Sequence, residues 1–305
     1  MNVSSFIIAV QREFWEFKRM VVWQPIIIAL LALSMLALGA VSLDSYQIKR
    51  LEEVLLIQNS ADWSNYSLIV FSGILMLFLP FVVTMIFAQF SYFTHCLYDD
   101  RKDLSVMFWR SLPFSDLKTL AVKVFMGALC IPLVFVTVFA VLVLLVWLIS
   151  GVLAVTFLND QVEVLKRMLE AGVFSTLGLI YLHIVPFFLW LFPVYTWLLM
   201  ASAYANKAPA LWAILPILTV FLLEFMAESL FGIDVAYLSN TLSDYFGLVT
   251  FYDKKGIIFI QNSQIVLEAF SWFDAIMAKV SVYSLILGGV FWYIAYWIRA
   301  NKSIQ

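Results

Sequence analysis

The sequence predicts an all-α polytopic membrane protein, and three observations lead to that fold class. Of the 305 residues, 64% are hydrophobic and 12% are charged, and the mean hydropathy is +0.98. A soluble domain cannot bury so large a share of apolar surface. Apolar runs of about 20 residues recur along the chain, each long enough to cross a hydrocarbon layer of about 30 Å as a helix.

The chain begins with a predicted amphipathic helix within residues 1–21. Apolar side chains recur every three or four residues from Phe6 to Val21, and polar side chains such as Arg12 and Glu13 lie between them. This pattern is typical of a helix that lies in the interface between a membrane and the cytoplasm. A helix packed on another subunit would show the same pattern, and this alternative stays open.

Six spans are predicted within a single transmembrane domain that covers residues 1–305. Prolines lie inside several of these spans, which predicts kinks or local unwinding. The longest segment between spans, 232–275, contains an alternation at 256–260 that suggests a short strand. The predicted spans are 22–41, 68–90, 125–148, 173–200, 209–231 and 276–298.

The distribution of cations predicts the orientation of the chain. The larger part of the 18 Lys and Arg residues falls in segments on the side of the N-terminus. By the positive-inside rule, both termini and the segment 91–124 should face the cytoplasm. The net charge of −2 argues neither for nor against a nucleic acid partner, and we expect none.

Familiar catalytic and metal-binding motifs are absent from the sequence. It contains no phosphate-binding loop, no H-E-x-x-H and no G-x-S-x-G. We therefore expect no catalytic residue, no metal site and no cofactor on this chain. His183 has no neighbour at ligand spacing, so a hydrogen bond between helices is the simpler expectation, with a metal or proton role as the alternative.

Two acidic residues fall inside the predicted fifth span. Glu224 and Glu228 are four residues apart and therefore share one face of the helix. Carboxylates inside a bilayer are costly and usually face a cavity or another subunit. The alternative is that both carboxylates are solvated at the level of the lipid headgroups.

The segment 91–124 concentrates charge between two apolar runs. A charged helical turn is followed by apolar residues, by a break before Pro113, and by a new helix that Ser115 and Asp116 can cap. The result is a predicted elbow of helix, break and helix at the cytoplasmic surface. The residues expected to form its docking surface are Asp99, Asp100, Arg101, Lys102, Asp103, Phe108, Trp109, Arg110 and Pro113.

The order of an N-terminal helix, six spans and this loop resembles the permease subunits of type-2 ABC transporters. The residues that carry the resemblance are Asp100, Arg101, Asp103, Pro113 and Ser115, with Lys123 at the entrance to the third span. The resemblance implies that the first cytoplasmic loop contains a coupling helix, which docks on a separate ATPase subunit that binds ATP and Mg²⁺.

The same resemblance implies further properties of the whole assembly. It implies an exporter in a bacterial cytoplasmic membrane, built with a second permease copy or a related permease, in which all ATP hydrolysis occurs on the partner. Two alternatives stay open at this point. The charges of the loop can simply anchor it at the lipid headgroups, or the chain can be a sensor or scaffold that recruits a cytosolic partner through the same segment.

Overall fold

A computed structural model of the protein describes residues 3–42, 60–103, 115–157, 166, 168–232, 237–246, 276–277 and 279–301. These residues are almost entirely helical, and no strand occurs among them. The predicted strand at 256–260 lies outside this part of the chain. The helices are α1 (Val3–Glu16), α2 (Arg19–Val41), α3 (Ser60–Lys102), α4 (Asp116–Phe125, Met126–Cys130 and Ile131–Phe157), α5 (Val173–Leu182 and Ile184–Tyr204), α6 (Pro209–Phe231), α7 (Tyr237–Phe246) and α8 (Val282–Asn301).

Six of these helices are long and apolar enough to cross a membrane, so the chain is an all-α polytopic membrane protein. Their outer faces carry large apolar side chains, and Met76 in α3, for example, is 80% exposed. Such a surface is compatible with lipid and not with water. The membrane-crossing stretches are Arg19–Val41, Val70–Lys102, Asp116–Leu153, Met168–Tyr204, Pro209–Phe231 and Val282–Asn301.

Helix α3 extends well beyond the predicted span 68–90. It runs without interruption from Ser60 to Lys102, although Pro80 lies inside it. At about 1.5 Å per residue its 43 residues cover about 65 Å, roughly twice the thickness of a hydrocarbon layer. The charged residues 99–102 therefore form the last turn of α3, although the predicted span ended at residue 90.

Within the described spans, departures from regular α-helix occur at three places. Short π-helical turns, Arg19–Trp23 and Met126–Cys130, lie at the start of α2 and within α4. Helix α5 is interrupted at His183, three residues before Pro186. Pro186 has no N–H to donate to the preceding turn, which explains an interruption at this point. Helix α8 begins at Val282, six residues later than the predicted span.

The core lies where α4 packs between α2, α3 and α5. Helix α4 is the most buried span, whereas most side chains of α6 are exposed. Phe81 of α3 packs edge-on against Phe139 of α4 at a centroid distance of 5.3 Å. Phe93 stacks on Tyr195 of α5 at 4.8 Å, so aromatic rings connect the three central helices.

Helices α5 and α8 approach each other closely at a glycine. A Cβ atom added at Gly288 would lie 2.6 Å from a ring carbon of Phe192 and 3.2 Å from the Cα of Pro193. A Cβ atom added at the adjacent Gly289 would meet nothing within 4 Å. Small residues allow such close helix packing inside membranes, where van der Waals contact drives association.

We expect Gly288→Ala to lower the stability of the protein by about 1–3 kcal/mol, because the new methyl group overpacks the contact between α5 and α8. Gly289→Ala is the matched control and should be neutral or raise stability by about 0.5–1 kcal/mol through helix propensity. Thermal unfolding of both variants in detergent measures the difference. Equal unfolding temperatures would show that the α5–α8 contact does not depend on the absence of a side chain at Gly288.

Candidate functional site

Charged side chains are buried together at one end of the helix bundle. Lys123 is 0% exposed, Glu13 is 2% exposed and Asp100 is 3% exposed. Acidic and basic residues are almost never so deeply buried unless they are paired. We call the five residues Glu13, Asp100, Asp116, Lys123 and Arg299 the ionic cluster, and we call this end of the bundle the charged end.

Lys123 is the centre of the ionic cluster. Its Nζ lies 2.9 Å from Glu13 Oε1, and it donates a second hydrogen bond of 2.9 Å to the Cys96 carbonyl oxygen. The same Nζ lies 3.2 Å from Asp100 Oδ2. The hydroxyl group of Tyr92 donates to the second carboxylate oxygen of Glu13 at 3.1 Å. The three donors of the ammonium group are thus matched by three acceptors from α1 and α3.

Arg299, in the last turn of α8, joins the helices on both sides of the segment 104–114. Its Nε donates to Asp116 Oδ1 at 2.9 Å, and its Nη1 lies 3.4 Å from Asp100 Oδ2. Asp100 belongs to the end of α3 and Asp116 to the first turn of α4. Arg299 also lies at the C-terminus of α8, where the helix dipole favours positive charge.

Arg101 connects the end of α3 to the end of α5. Its Nη2 donates to the carbonyl oxygens of Ser202 at 2.6 Å and of Ala205 at 2.8 Å. The last carbonyl groups of a helix lack partners within the helix, and a basic side chain supplies one here. The hydroxyl oxygen of Ser202 in turn accepts from the backbone N–H of Leu97 at 3.2 Å and of Tyr98 at 3.1 Å.

Acidic groups are in slight excess within the ionic cluster, which contains three carboxylates and two cations. The next acidic residue of α1, Glu16, has a pKa that is shifted by its surroundings. Burial raises the pKa of Glu16 above its ordinary value, and the negative charge of Glu13 raises it further. Arg12, which lies 3.4 Å from the Glu16 carboxylate, partly offsets these effects.

Two of the predicted docking residues make contacts inside the bundle. The side chain of Asp100 is buried in the ionic cluster, and the guanidinium group of Arg101 is bonded to the end of α5. Asp100 is 3% exposed, whereas Arg101 is half-buried. Lys102 and Asp103 are exposed. Docking on an ATPase subunit stays a prediction.

The remaining predicted docking residues divide into two groups. Asp99 is half-buried in the last turn of α3, so part of this residue is exposed. Phe108, Trp109, Arg110 and Pro113 lie outside the described residues. Helix α4 begins at Asp116, directly after Ser115 in extended conformation, as the sequence predicted. Asp116 bonds Arg299, and Ser115 makes no capping bond through its side chain.

The three polar residues predicted for the spans are not members of the ionic cluster. Nδ1 of His183 lies 2.6 Å from the Leu179 carbonyl oxygen. Glu224 accepts hydrogen bonds from the backbone N–H groups of Leu238 at 2.6 Å and of Ser239 at 3.2 Å, and so binds the first turn of α7. Glu228 is exposed. Within the described part of the chain, no group of three His, Cys, Asp or Glu residues can hold a metal ion.

Sequence reasoning missed the pairing that forms the ionic cluster. Glu13 was placed on the polar face of an interfacial helix, whereas its carboxylate is inside the protein. Its partner Lys123 is 110 positions away in sequence, and Arg299 is 199 positions from Asp100. The available signal was a lysine next to a long apolar run. That signal is ambiguous, because a lysine at the end of a span can reach the lipid headgroups as well as pair inside the protein.

Comparisons with protein-family models, with curated proteins and with solved structures found no match to this chain. The functional interpretation therefore starts from the geometry of the charged end. There, five helices, α1, α3, α4, α5 and α8, are joined by ionic groups and hydrogen bonds around the two ends of the segment 104–114.

We expect Lys123→Met to destabilise the protein by about 3–5 kcal/mol, because it leaves the buried carboxylates of Glu13 and Asp100 without their cation. Lys207→Met removes an exposed lysine and should change stability by about 0.5 kcal/mol or less. Thermal unfolding in detergent measures both changes.

Adding Glu13→Gln to Lys123→Met should cost less than the sum of the two single changes, since the double variant no longer holds the unpaired charge of Glu13. A coupling free energy of about 0.5–3 kcal/mol is expected for residues in direct contact. Strict additivity of the two substitutions would contradict the pairing of Glu13 with Lys123.

Proposed function

We propose that this chain is the membrane-spanning permease subunit of an ATP-driven ABC transporter of the type-2 class. In this proposal it is an exporter subunit in a bacterial cytoplasmic membrane, with both termini and the charged end in the cytoplasm. It works with a second copy or a related permease, and separate ATPase subunits bind ATP and Mg²⁺. The ionic cluster is the observation that carries the proposal.

The ionic cluster supports this function because it fixes both ends of the proposed coupling segment to the bundle. Arg299 contacts Asp100 before the segment and Asp116 after it. Lys123 then connects the same Asp100 to Glu13 of α1. A displacement of the segment by an ATPase subunit is therefore passed to α1, α3, α4 and α8 together.

Burial makes this connection suited to transmitting force. Pulling α3 away from α4 would take from Lys123 two of its three acceptors, Asp100 and the Cys96 carbonyl oxygen, and such a loss at a buried charge costs several kcal/mol. The helices are expected to move as a unit. A loop attached by exposed ion pairs would separate more readily, because such pairs contribute about 1 kcal/mol or less.

Lys102 and Asp103 provide the exposed edge through which a partner is contacted. They follow directly after the two residues that are anchored inside the bundle, so their positions are set by a rigid helix end. Exposed charges at the rim of an interface govern the rate and specificity of association more than the fold. These two residues therefore allow a test of docking that does not disturb the ionic cluster.

The first experiment is purification of the chain from its native membranes in a mild detergent, followed by identification of the bound proteins. We expect an ATPase with a phosphate-binding loop, in about equimolar amount, and ATP hydrolysis by the purified complex. Recovery of a different cytosolic protein and no ATPase would favour the sensor or scaffold instead. Recovery of no ATPase under several mild conditions would count against the permease.

Reversal of the exposed pair, Lys102→Glu with Asp103→Lys, should weaken binding of the ATPase by about tenfold, equivalent to about 1.4 kcal/mol. The amount of chain in the membrane and its unfolding temperature should stay unchanged, since both side chains are exposed. Lys207→Glu, which reverses an exposed charge elsewhere on the chain, is the control. If the double reversal binds the ATPase as well as the control does, the docking edge lies elsewhere.

A further inference from the structure

An elongated apolar cavity lies between α3, α4 and α5. Its volume is about 340 Å³, at the lower end of the range for small-molecule sites. We call this cavity the slot. Its walls are formed by residues of three types: aromatic rings such as Phe78 and Phe188, aliphatic side chains such as Val82 and Val136, and a few polar groups.

The slot follows the long axis of the bundle. Along α3, its lining residues repeat on one face from Phe71 to Gln89, a distance of about 27 Å at about 1.5 Å per residue. Along α5, they extend from Thr176 to Tyr195. The slot is therefore nearly as long as a hydrocarbon layer is thick, which is about 30 Å. A compact ligand would leave most of this length empty.

The slot ends before the ionic cluster begins. Gln89 Nε2 donates to the Gly127 carbonyl oxygen at 3.0 Å, and the stacked rings of Phe93 and Tyr195 lie next along the helices. A Cβ atom added at Gly127 would lie only 2.5 Å from a ring carbon of Phe93, so packing is tight at this point. These contacts separate the slot from the charged end.

Several polar groups of the slot wall are hydrogen-bonded within the protein. The hydroxyl group of Thr176 donates to the Gly172 carbonyl oxygen at 2.9 Å, and Nδ1 of His183 lies 2.6 Å from the Leu179 carbonyl oxygen. The hydroxyl group of Tyr195 is hydrogen-bonded to Gln89. The walls therefore offer mainly van der Waals contact to an occupant. Aliphatic and aromatic walls of this kind exclude water and bind apolar molecules.

We propose that the slot binds one hydrocarbon chain of a membrane lipid, aligned with α3. The slot lies between membrane-crossing helices, so lipid chains are the apolar molecules at highest concentration around it. Its length suits an extended chain, and its walls are almost entirely apolar. The chain fills a space that would otherwise interrupt the close packing of the three central helices. This binding does not depend on an ATPase partner.

The proposal is tested by photolabelling in lipid nanodiscs that contain phosphatidylcholine with a diazirine on one acyl chain. After illumination and proteolysis, the labelled residues are identified by mass spectrometry. We expect labelling concentrated on slot residues such as Met85 and Leu179, and competed by unlabelled lipid. Labelling confined to the exposed faces of α6 and α2, with none in the slot, would overturn the proposal.

Adjacent valines of α3 provide a matched pair of variants. Val82 lines the slot, whereas Val83 is 43% exposed on the outer face. Val82→Phe should lower slot labelling by about tenfold, because the added ring occupies the space of the chain, while Val83→Phe should leave it unchanged. Equal slot labelling in the two variants would show that the label enters by another route.

A second pair keeps the test valid if Val82→Phe does not fold. Leu75, farther from the charged end, lines the slot and is 43% exposed, and Leu79 is 63% exposed and lies outside the lining. Leu75→Phe should reduce labelling of the slot, and Leu79→Phe should not. Circular dichroism and gel filtration verify that each variant retains its helices and its size. A folded Leu75→Phe protein with unchanged slot labelling would contradict the proposal.

Discussion

The ammonium group of Lys123 is the interaction on which the charged end depends. It is fully buried, and it is held by two carboxylates and one carbonyl oxygen from two other helices. Removing water from a charge costs several kcal/mol, and the cost is offset only when the geometry of the partners is good. The contacts of Lys123 with its acceptors therefore set the positions of α1 and α3 relative to α4.

Charged and apolar features are separated along α3. Gln89 closes the slot, and Asp100 joins the ionic cluster 11 residues later, about 16 Å farther along the helix. One rigid helix thus carries an apolar binding surface within the span and an ionic anchor at its end. A motion that begins at the anchor reaches the slot without passing through a flexible connection, because α3 continues unbroken between them.

The sequence predicted the elements of this fold better than their contacts. Apolar runs of sufficient length identified six spans, since the bilayer imposes a minimum length on any helix that crosses it. The helix start at Asp116 was predicted from Ser115 and from the break before it. The continuity of α3 was not predicted: the sequence indicated a charged helical turn at residues 99–103, but the second span was ended at Phe90 because the residues after it are more polar. The site was harder to predict, since Glu13, Lys123 and Arg299 are far apart in sequence, and only packing brings them together.

The ionic cluster joins residues that are synthesised far apart in time. Asp116 precedes Arg299 by 183 residues, so its carboxylate lacks this cation until α8 has been made and packed against α4. Until then the ionic cluster has three carboxylates and a single cation, Lys123, and incompletely folded chains of this kind are open to cellular proteases. The charged end therefore completes its ion pairs only after the spans between α4 and α8 have been made.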